Sequence, residues 1–135
     1  MRVLITGVGG YIGNFLVQFF AAQDNEVYAL YHNKIPIHKN GFPQVHWIQC
    51  DLAANINDID SVDVIIHAAT VHPFSRELPN AIDYLDSNIN ATRNLLDYSL
   101  SCSAKVFIYI STITIHGNVL VKEVSENTPQ HEPNL

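Results

Sequence analysis

The residues best suited to chemistry come early in the chain, where Thr6-Gly7-Val8-Gly9-Gly10-Tyr11-Ile12-Gly13 follows directly on the apolar run Val3-Leu4-Ile5. A buried strand that stops at a glycine-spaced turn and continues as a helix turns backbone N–H groups, and the positive end of the helix dipole, towards solvent, where they hold a phosphate. Each glycine has its own task. Gly7 permits the tight turn, Gly10 lets a pyrophosphate reach the backbone with no Cβ in the way, and Gly13 lets the helix pack closely on its strand. Tyr11 and Ile12 open the helix and belong to the same cradle. The spacing is G-x-x-G-x-x-G. The alternative G-x-G-x-x-G, beginning with Gly7 and Gly9, requires glycine or alanine where the chain has Ile12.

Such a loop acts only when the right elements flank it. Ile12, Phe15, Leu16 and Phe19 recur at helical spacing, which predicts an amphipathic helix from about Tyr11 to Gln23 with that stripe against a sheet. Glu26 to Tyr31 then reads as a second strand, and strand, turn, helix and strand in this order argue against an ordinary connection with incidental glycines. Between His32 and Gln44, Pro36, Gly41 and Pro43 exclude a full crossover helix and predict an irregular connection. Val45 to Cys50 reads as a third strand, with Asp51-Leu52 at the turn after it and a short helical segment near Ala53 to Asn57. Val62 to Ile66 is a fourth strand and Lys105 to Ile110 a fifth. Between them, Asn80 to Ser101 is the longest helix, with Leu85, Ile89, Thr92, Leu96 and Ser99 at helical intervals. Apolar runs without alternation, separated by helices, suit a parallel sheet buried on both faces, and right-handed crossovers give strand order 3-2-1-4-5. From Ser111 onward neither a sixth strand nor a further helix is expected, and Ser125 to Asn134 is polar with two prolines.

Composition narrows the partners. Thirteen acidic against seven basic residues give a net charge of −6 with no basic run, which disfavours nucleic acid and anionic membranes. Cys50 and Cys102 stand apart with no metal-like spacing, so no metal site is expected and a reduced, cytoplasmic protein is the simplest reading. No run approaches the roughly 18 apolar residues of a membrane span, and 135 residues suffice for one soluble domain.

Further along, four more segments join the glycine loop. They are Cys50-Asp51-Leu52, Asp63-Val64-Ile65-Ile66-His67-Ala68-Ala69, Asn88-Ile89-Asn90-Ala91-Thr92-Arg93-Asn94-Leu95-Leu96, and the stretch from Val106 to Gly117. Together with the loop they resemble the extended short-chain dehydrogenases/reductases, the NAD(P)-dependent sugar-nucleotide epimerases and dehydratases, over essentially the whole chain. The resemblance implies an α/β, Rossmann-type doubly wound parallel sheet of five strands in order 3-2-1-4-5, incomplete at its carboxyl-terminal side. It implies a dinucleotide-binding domain over 1–117 and an irregular polar tail over 118–135. By the same resemblance Asp51, with Leu52, meets the adenine ring, while His67, Ala68 and Ala69 lie along the pyrophosphate and nicotinamide ribose. Asn88 takes the place of the asparagine of the active-site helix, Thr112 the catalytic hydroxyl that bonds the reacting oxygen, and Ser111 is its neighbour in the site. The ligands implied are a dinucleotide and, in the complete enzyme, a nucleotide-linked sugar from whose carbinol carbon hydride is transiently taken, with a homodimer as a possible assembly.

The departures from the family pattern are informative. Tyr31-His32-Asn33-Lys34 offers no carboxylate to a ribose 2′-hydroxyl, and Lys34, with His32 when protonated, suits a 2′-phosphate, so the cofactor is NAD or NADP with a slight lean to NADP. His116 stands where the family usually has tyrosine before Gly117. The family's Tyr-x-x-x-Lys pair would fall just past Leu135, and none of the six tyrosines is followed four positions later by lysine. Thr128 to Leu135 resembles the segment leading into that pair. Two expectations follow: the amino-terminal part of an epimerase, dehydratase or reductase, inactive alone, or a stand-alone dinucleotide-binding sensor or interaction module.

Overall fold

Five parallel strands form one sheet in the order β3-β2-β1-β4-β5, as the sequence predicts. They are β1 (Arg2–Thr6), β2 (Glu26–Tyr31), β3 (Val45–Gln49), β4 (Val64–His67) and β5 (Val106–Tyr109). The computed structural model describes residues 1–34, 36, 41–54, 56, 59, 61–72, 79–117 and 122–130. β1 is central, with Ile5 opposite Ala29 of β2 on one side and Ile66 of β4 on the other. Successive residues of a strand face opposite ways. Val3 and Ile5 therefore enter a core with Val17, Ala21, Val27, Ala29 and Ile66, whereas Leu4 enters a second core with Leu30, Ile65, Ala91 and Leu95. Burial on both faces explains why these strands carry no polar alternation.

The first core is closed by α1 (Tyr11–Ala21). Its buried face is Gly13, Val17 and Ala21, with Leu16 and Phe20 packed alongside. This corrects the stripe expected from the sequence, because Ile12, Phe15 and Phe19 are exposed. The small residues at i, i+4 and i+8 let the helix axis come close to the strands, and that close approach leaves no room beneath it for phenylalanine.

The second core is closed by a helical run in three parts: α2 (Ala81–Tyr84), a π-helical stretch (Leu85–Asn90) and α3 (Ala91–Ser101). Asn80 caps its start, its side chain accepting from the N–H groups of Ile82 and Asp83 while the Asp83 carboxylate accepts from the N–H of Asn80. Of the positions expected to face the sheet, Leu85, Ile89 and Leu96 are exposed, and Ala91 and Leu95 are buried instead. The inward face runs through Asn88, Ala91, Leu95 and Tyr98, one residue off the expected positions along the whole run. Its rotation is set by partners the periodicity does not contain, Val71 for Asn88 and His67 for Thr92.

Of the segment expected to be helical near Ala53 to Asn57, residues 52–54 form a turn, and positions 55 and 57 lie outside the described residues. The irregular connection after β2 lies outside them at 35 and 37–40, and the segment from Thr128 onward at 131–135. Beyond β5 the chain makes a 3₁₀ turn (Ile113–His116) where no helix was expected. At the amino ends of the strands, Asp63 joins three of them. Its carboxylate accepts from the Arg2 backbone N–H at 2.9 Å and from Lys105 Nζ at 2.9 Å, and these bonds, the Arg2 one foremost, hold its pKa down to about 2. No described helix is long and apolar enough to cross a membrane.

Candidate functional site

The carboxyl ends of all five strands carry the residues singled out in the sequence. Gly7 follows β1, His32 to Lys34 follow β2, Asp51 and Leu52 follow β3, Ala68 and Ala69 follow β4, and Ser111 and Thr112 follow β5. A crevice outside these ends, where the strand order reverses beside β1, is where open α/β sheets bind ligands.

The glycine loop is held by contact. Gly7 has φ +70°, and a Cβ there would come within 2.6 Å of the Ala68 and Ala69 backbone. A Cβ on Gly13 would overlap the Gly7 carbonyl. Gly10 differs from both. Its φ of −90° and ψ of 172° suit any residue, and a Cβ would meet only the Gly7 oxygen, at 3.2 Å. Gly10 caps α1 with no side-chain acceptor, and the first helical turn holds no acidic residue. The cradle therefore presents main-chain N–H groups with no competing carboxylate. Tyr11 is 91% exposed and Ile12 is exposed as well, so both serve the cradle through their backbone.

Lys34, with His32 and Asn33 beside it, is exposed, and its carbonyl approaches the loop at Gly9, where a Cβ would stand 2.8 Å from that oxygen. The glycine spacing assigned Gly9 no task, because the contact is made with a residue 25 positions later in the chain. The Asp51 carboxylate accepts from the Ala53 N–H at 3.0 Å, and Leu52 is buried. Asn94 Nδ2 secures this turn by donating to the carbonyls of Leu52 (2.9 Å) and Ala53 (3.0 Å). Asn94 was not a predicted site residue, although it sits inside the quoted Asn88 to Leu96 motif.

His67 stands apart. The sequence placed it along a bound cofactor, but its side chain is 0% exposed, and burial lowers its pKa to about 4, so the ring is neutral. Nδ1 lies 2.7 Å from Thr6 Oγ1 and Nε2 lies 2.9 Å from Thr92 Oγ1. The ring thus faces two threonines inside the protein and not the crevice. Asn88, on the π stretch, accepts from the Val71 N–H at 2.8 Å and donates to the Val71 carbonyl at 3.0 Å, which fixes the loop after β4. Ser111 and Thr112 are exposed beyond β5, whose direction is set by the bond from the Ile110 N–H to the His67 carbonyl. His116 Nδ1 lies 3.2 Å from the Pro129 carbonyl and joins the turn to the tail.

The arrangement offers an anion cradle, polar side chains after β2 and β3 on one side of it, the Ala68 and Ala69 backbone on the other, and the exposed Ser111 and Thr112 beyond β5. A family model described as the NAD dependent epimerase/dehydratase family matches residues 3–134. A UDP-glucose 4-epimerase of Halalkalibacterium halodurans is 28% identical over 134 residues, which are 96% of this chain and 40% of the relative. A dTDP-D-glucose 4,6-dehydratase of Dictyostelium discoideum is 24% identical over 139 residues, 93% of this chain and 32% of the relative. The crystal structure of a UDP-glucose 4-epimerase from Bifidobacterium longum in complex with NAD+ and UDP superposes with a TM-score of 0.81 at 22% identity, covering 98% of this chain and 43% of that one, and shows the shared fold. The chain spans less than half the length of each of these three proteins.

Proposed function

We propose a function from one premise: this chain belongs to the NAD dependent epimerase/dehydratase family. In our reading it is the dinucleotide-binding part of an enzyme that acts on a nucleotide-linked sugar, as an epimerase, dehydratase or reductase. Residues 1–117 are the binding domain, and 118–135 lead towards the region that completes the active site.

The observation that carries this reading is the cradle. Gly7 and Gly13 are required by the fold itself, whereas at Gly10, beside an uncapped helix start, the backbone is ordinary and a Cβ would press on the Gly7 oxygen alone, at 3.2 Å. A pyrophosphate approaching the N–H groups of Tyr11 and Ile12 past the bare Gly10 Cα accounts for that choice, the Gly10 N–H itself being given to the Gly7 carbonyl at 2.9 Å. The residues present fit a dinucleotide. Ala68 and Ala69 would line its middle, Asp51 and Leu52 its adenine, and His32, Asn33 and Lys34 its adenosine ribose. When bound, the nicotinamide group supplies the hydride acceptor. The chain's own contribution at the reacting end is Thr112, whose hydroxyl orients the oxygen of the sugar carbinol, with Ser111 and Asn88 beside it.

The absence of a carboxylate after β2 and the place of Lys34 against the loop support a lean towards NADP over NAD. The exposed Leu85, Ile89 and Leu96 support a homodimer, the two isolated cysteines support a cytoplasmic protein, and the net charge of −6 disfavours nucleic acid and anionic membranes as partners. Calorimetric titration with NAD and NADP tests the reading. The wild-type chain should bind at least one of them, and Gly10→Val should abolish binding while still unfolding in a single cooperative transition. Equal affinity in the variant, or no binding of either dinucleotide by the folded wild type, overturns it.

A further inference from the structure

We infer that Thr6 and Thr92, acting through His67, are positioning residues for the cradle wall: one directed chain of buried hydrogen bonds ties the end of β1 to the helical turn that carries Asn88, and so holds residues 68–71 at both ends. The inference deepens the dinucleotide reading and rests on it for the identity of the ligand.

The direction of the chain follows from counting hydrogens. A threonine hydroxyl has one proton and two lone pairs. Thr6 Oγ1 accepts from the N–H groups of Ala68 and Ala69, each at 3.2 Å, so both lone pairs are engaged. Its proton must then point to His67 Nδ1, 2.7 Å away, and Nδ1 is the ring nitrogen without hydrogen. The ring proton accordingly sits on Nε2 and is donated to Thr92 Oγ1 at 2.9 Å. Thr92 passes its own proton to the Asn88 carbonyl at 2.7 Å. That acceptor lies in the π stretch, where the backbone ladder departs from its ordinary i, i+4 pattern, and the threonine gives its carbonyl a bond there.

No link can be reversed. A proton on Nδ1 would put two hydrogens between Thr6 and the ring, and the burial of Thr6 and His67, both 0% exposed, leaves neither to water. Tyr109, with its centroid at 5.4 Å, and Phe107, at 6.5 Å, pack edge-to-face with the His67 ring. The chain acts on the site at two points. Thr6 fixes the N–H groups of Ala68 and Ala69, the backbone against which Gly7 is pressed. At the other end Asn88, its carbonyl held by Thr92, grips the N–H and the carbonyl of Val71.

The test combines nitrogen-15 NMR of the histidine ring with NAD titration of Thr92→Val and Thr92→Ser. The wild-type ring should be neutral at pH 7, with the proton on Nε2. Thr92→Val should shift the Val71 amide resonance and weaken NAD binding roughly three- to tenfold, as loss of one positioning hydrogen bond implies, and Thr92→Ser should restore both. A proton on Nδ1, an imidazolium at pH 7, or a Thr92→Val protein with an unmoved Val71 amide and wild-type affinity overturns the inference. Should Thr92→Val not fold, the wild-type tautomer and the serine variant still decide it. Wild-type protein that binds neither NAD nor NADP refutes the dinucleotide reading, while the tautomer and the Val71 amide continue to judge the chain of bonds.

Discussion

Acid should destabilise this protein through one buried ring. Burial lowers the pKa of His67 to about 4 from its ordinary 6.5, so the folded protein holds the ring neutral over a range in which the unfolded chain protonates it. The resulting stability is fully present above about pH 6.5, declines as the pH falls through that value, and is exhausted at about pH 4. At about 1.4 kcal/mol for each pH unit of that interval, the loss totals about 3 kcal/mol, of which ~2.5 kcal/mol is gone by pH 4.5. A single domain commonly has about 5–15 kcal/mol in all, so this is a large share. Urea unfolding of the wild type and of His67→Gln at pH 7, 5.5 and 4.5 isolates the effect, because every other residue is common to both proteins. The variant should be the less stable at pH 7, having lost a ring that bridges two threonines, and the two stabilities should converge as the pH falls. Parallel stability curves between pH 7 and 4.5 would refute the argument, for they would mean that the ring reaches water or titrates normally in the fold.

Three further outcomes follow from single contacts. Gly13→Ala puts a methyl group into the Gly7 carbonyl and should cost about 1–3 kcal/mol or more in thermal unfolding; an unchanged melting temperature would show that α1 can lift off its strand at no cost. Asn94→Ala removes two bonds to the turn after β3 and should cost about 1–2 kcal/mol, with weaker NAD binding through the loosened Asp51; stability within error of wild type would remove Asn94 from the site's support. Asp63→Asn should lower the melting temperature at pH 7. Because the Asp63 pKa is depressed to about 2, its contribution is present above about pH 4 and lost as the pH falls towards 2, so melts of wild type and variant should draw together over that interval, and melts that stay equally far apart would count against it.

Much of the frame was legible in the chain because it rests on local rules. A non-alternating Val/Ile/Leu run is buried on both faces wherever it occurs, so the five strands and their order could be read before any contact was known, and β2 falls where its residues predict. Gly7, Asp51, Ala68 and Thr112 reach one edge of the sheet because parallel strands all end on the same side. Helix rotation was not legible. The apolar period of α1 includes Phe15 and Phe19, which suit a core in isolation, but the approach of Gly13 to Gly7 turns them outward. Along the second helical run the period followed the larger side chains Leu85, Ile89 and Leu96, which are exposed, whereas the inward face is set one residue away by Ala91, Leu95 and the bond of Asn88 to Val71.

By itself the sequence determined the strands, their parallel order and a glycine turn made to face an anion, since propensity, burial period and backbone freedom are properties of residues and near neighbours. Only the tertiary structure decided what His67 does. Its partners Thr6 and Thr92 lie 61 and 25 residues away along the chain, and its charge state depends on a burial that no local segment can supply. The same holds for Gly9 against Lys34 and Asn94 beneath Asp51, where the reason for a residue is an atom brought to it by the fold.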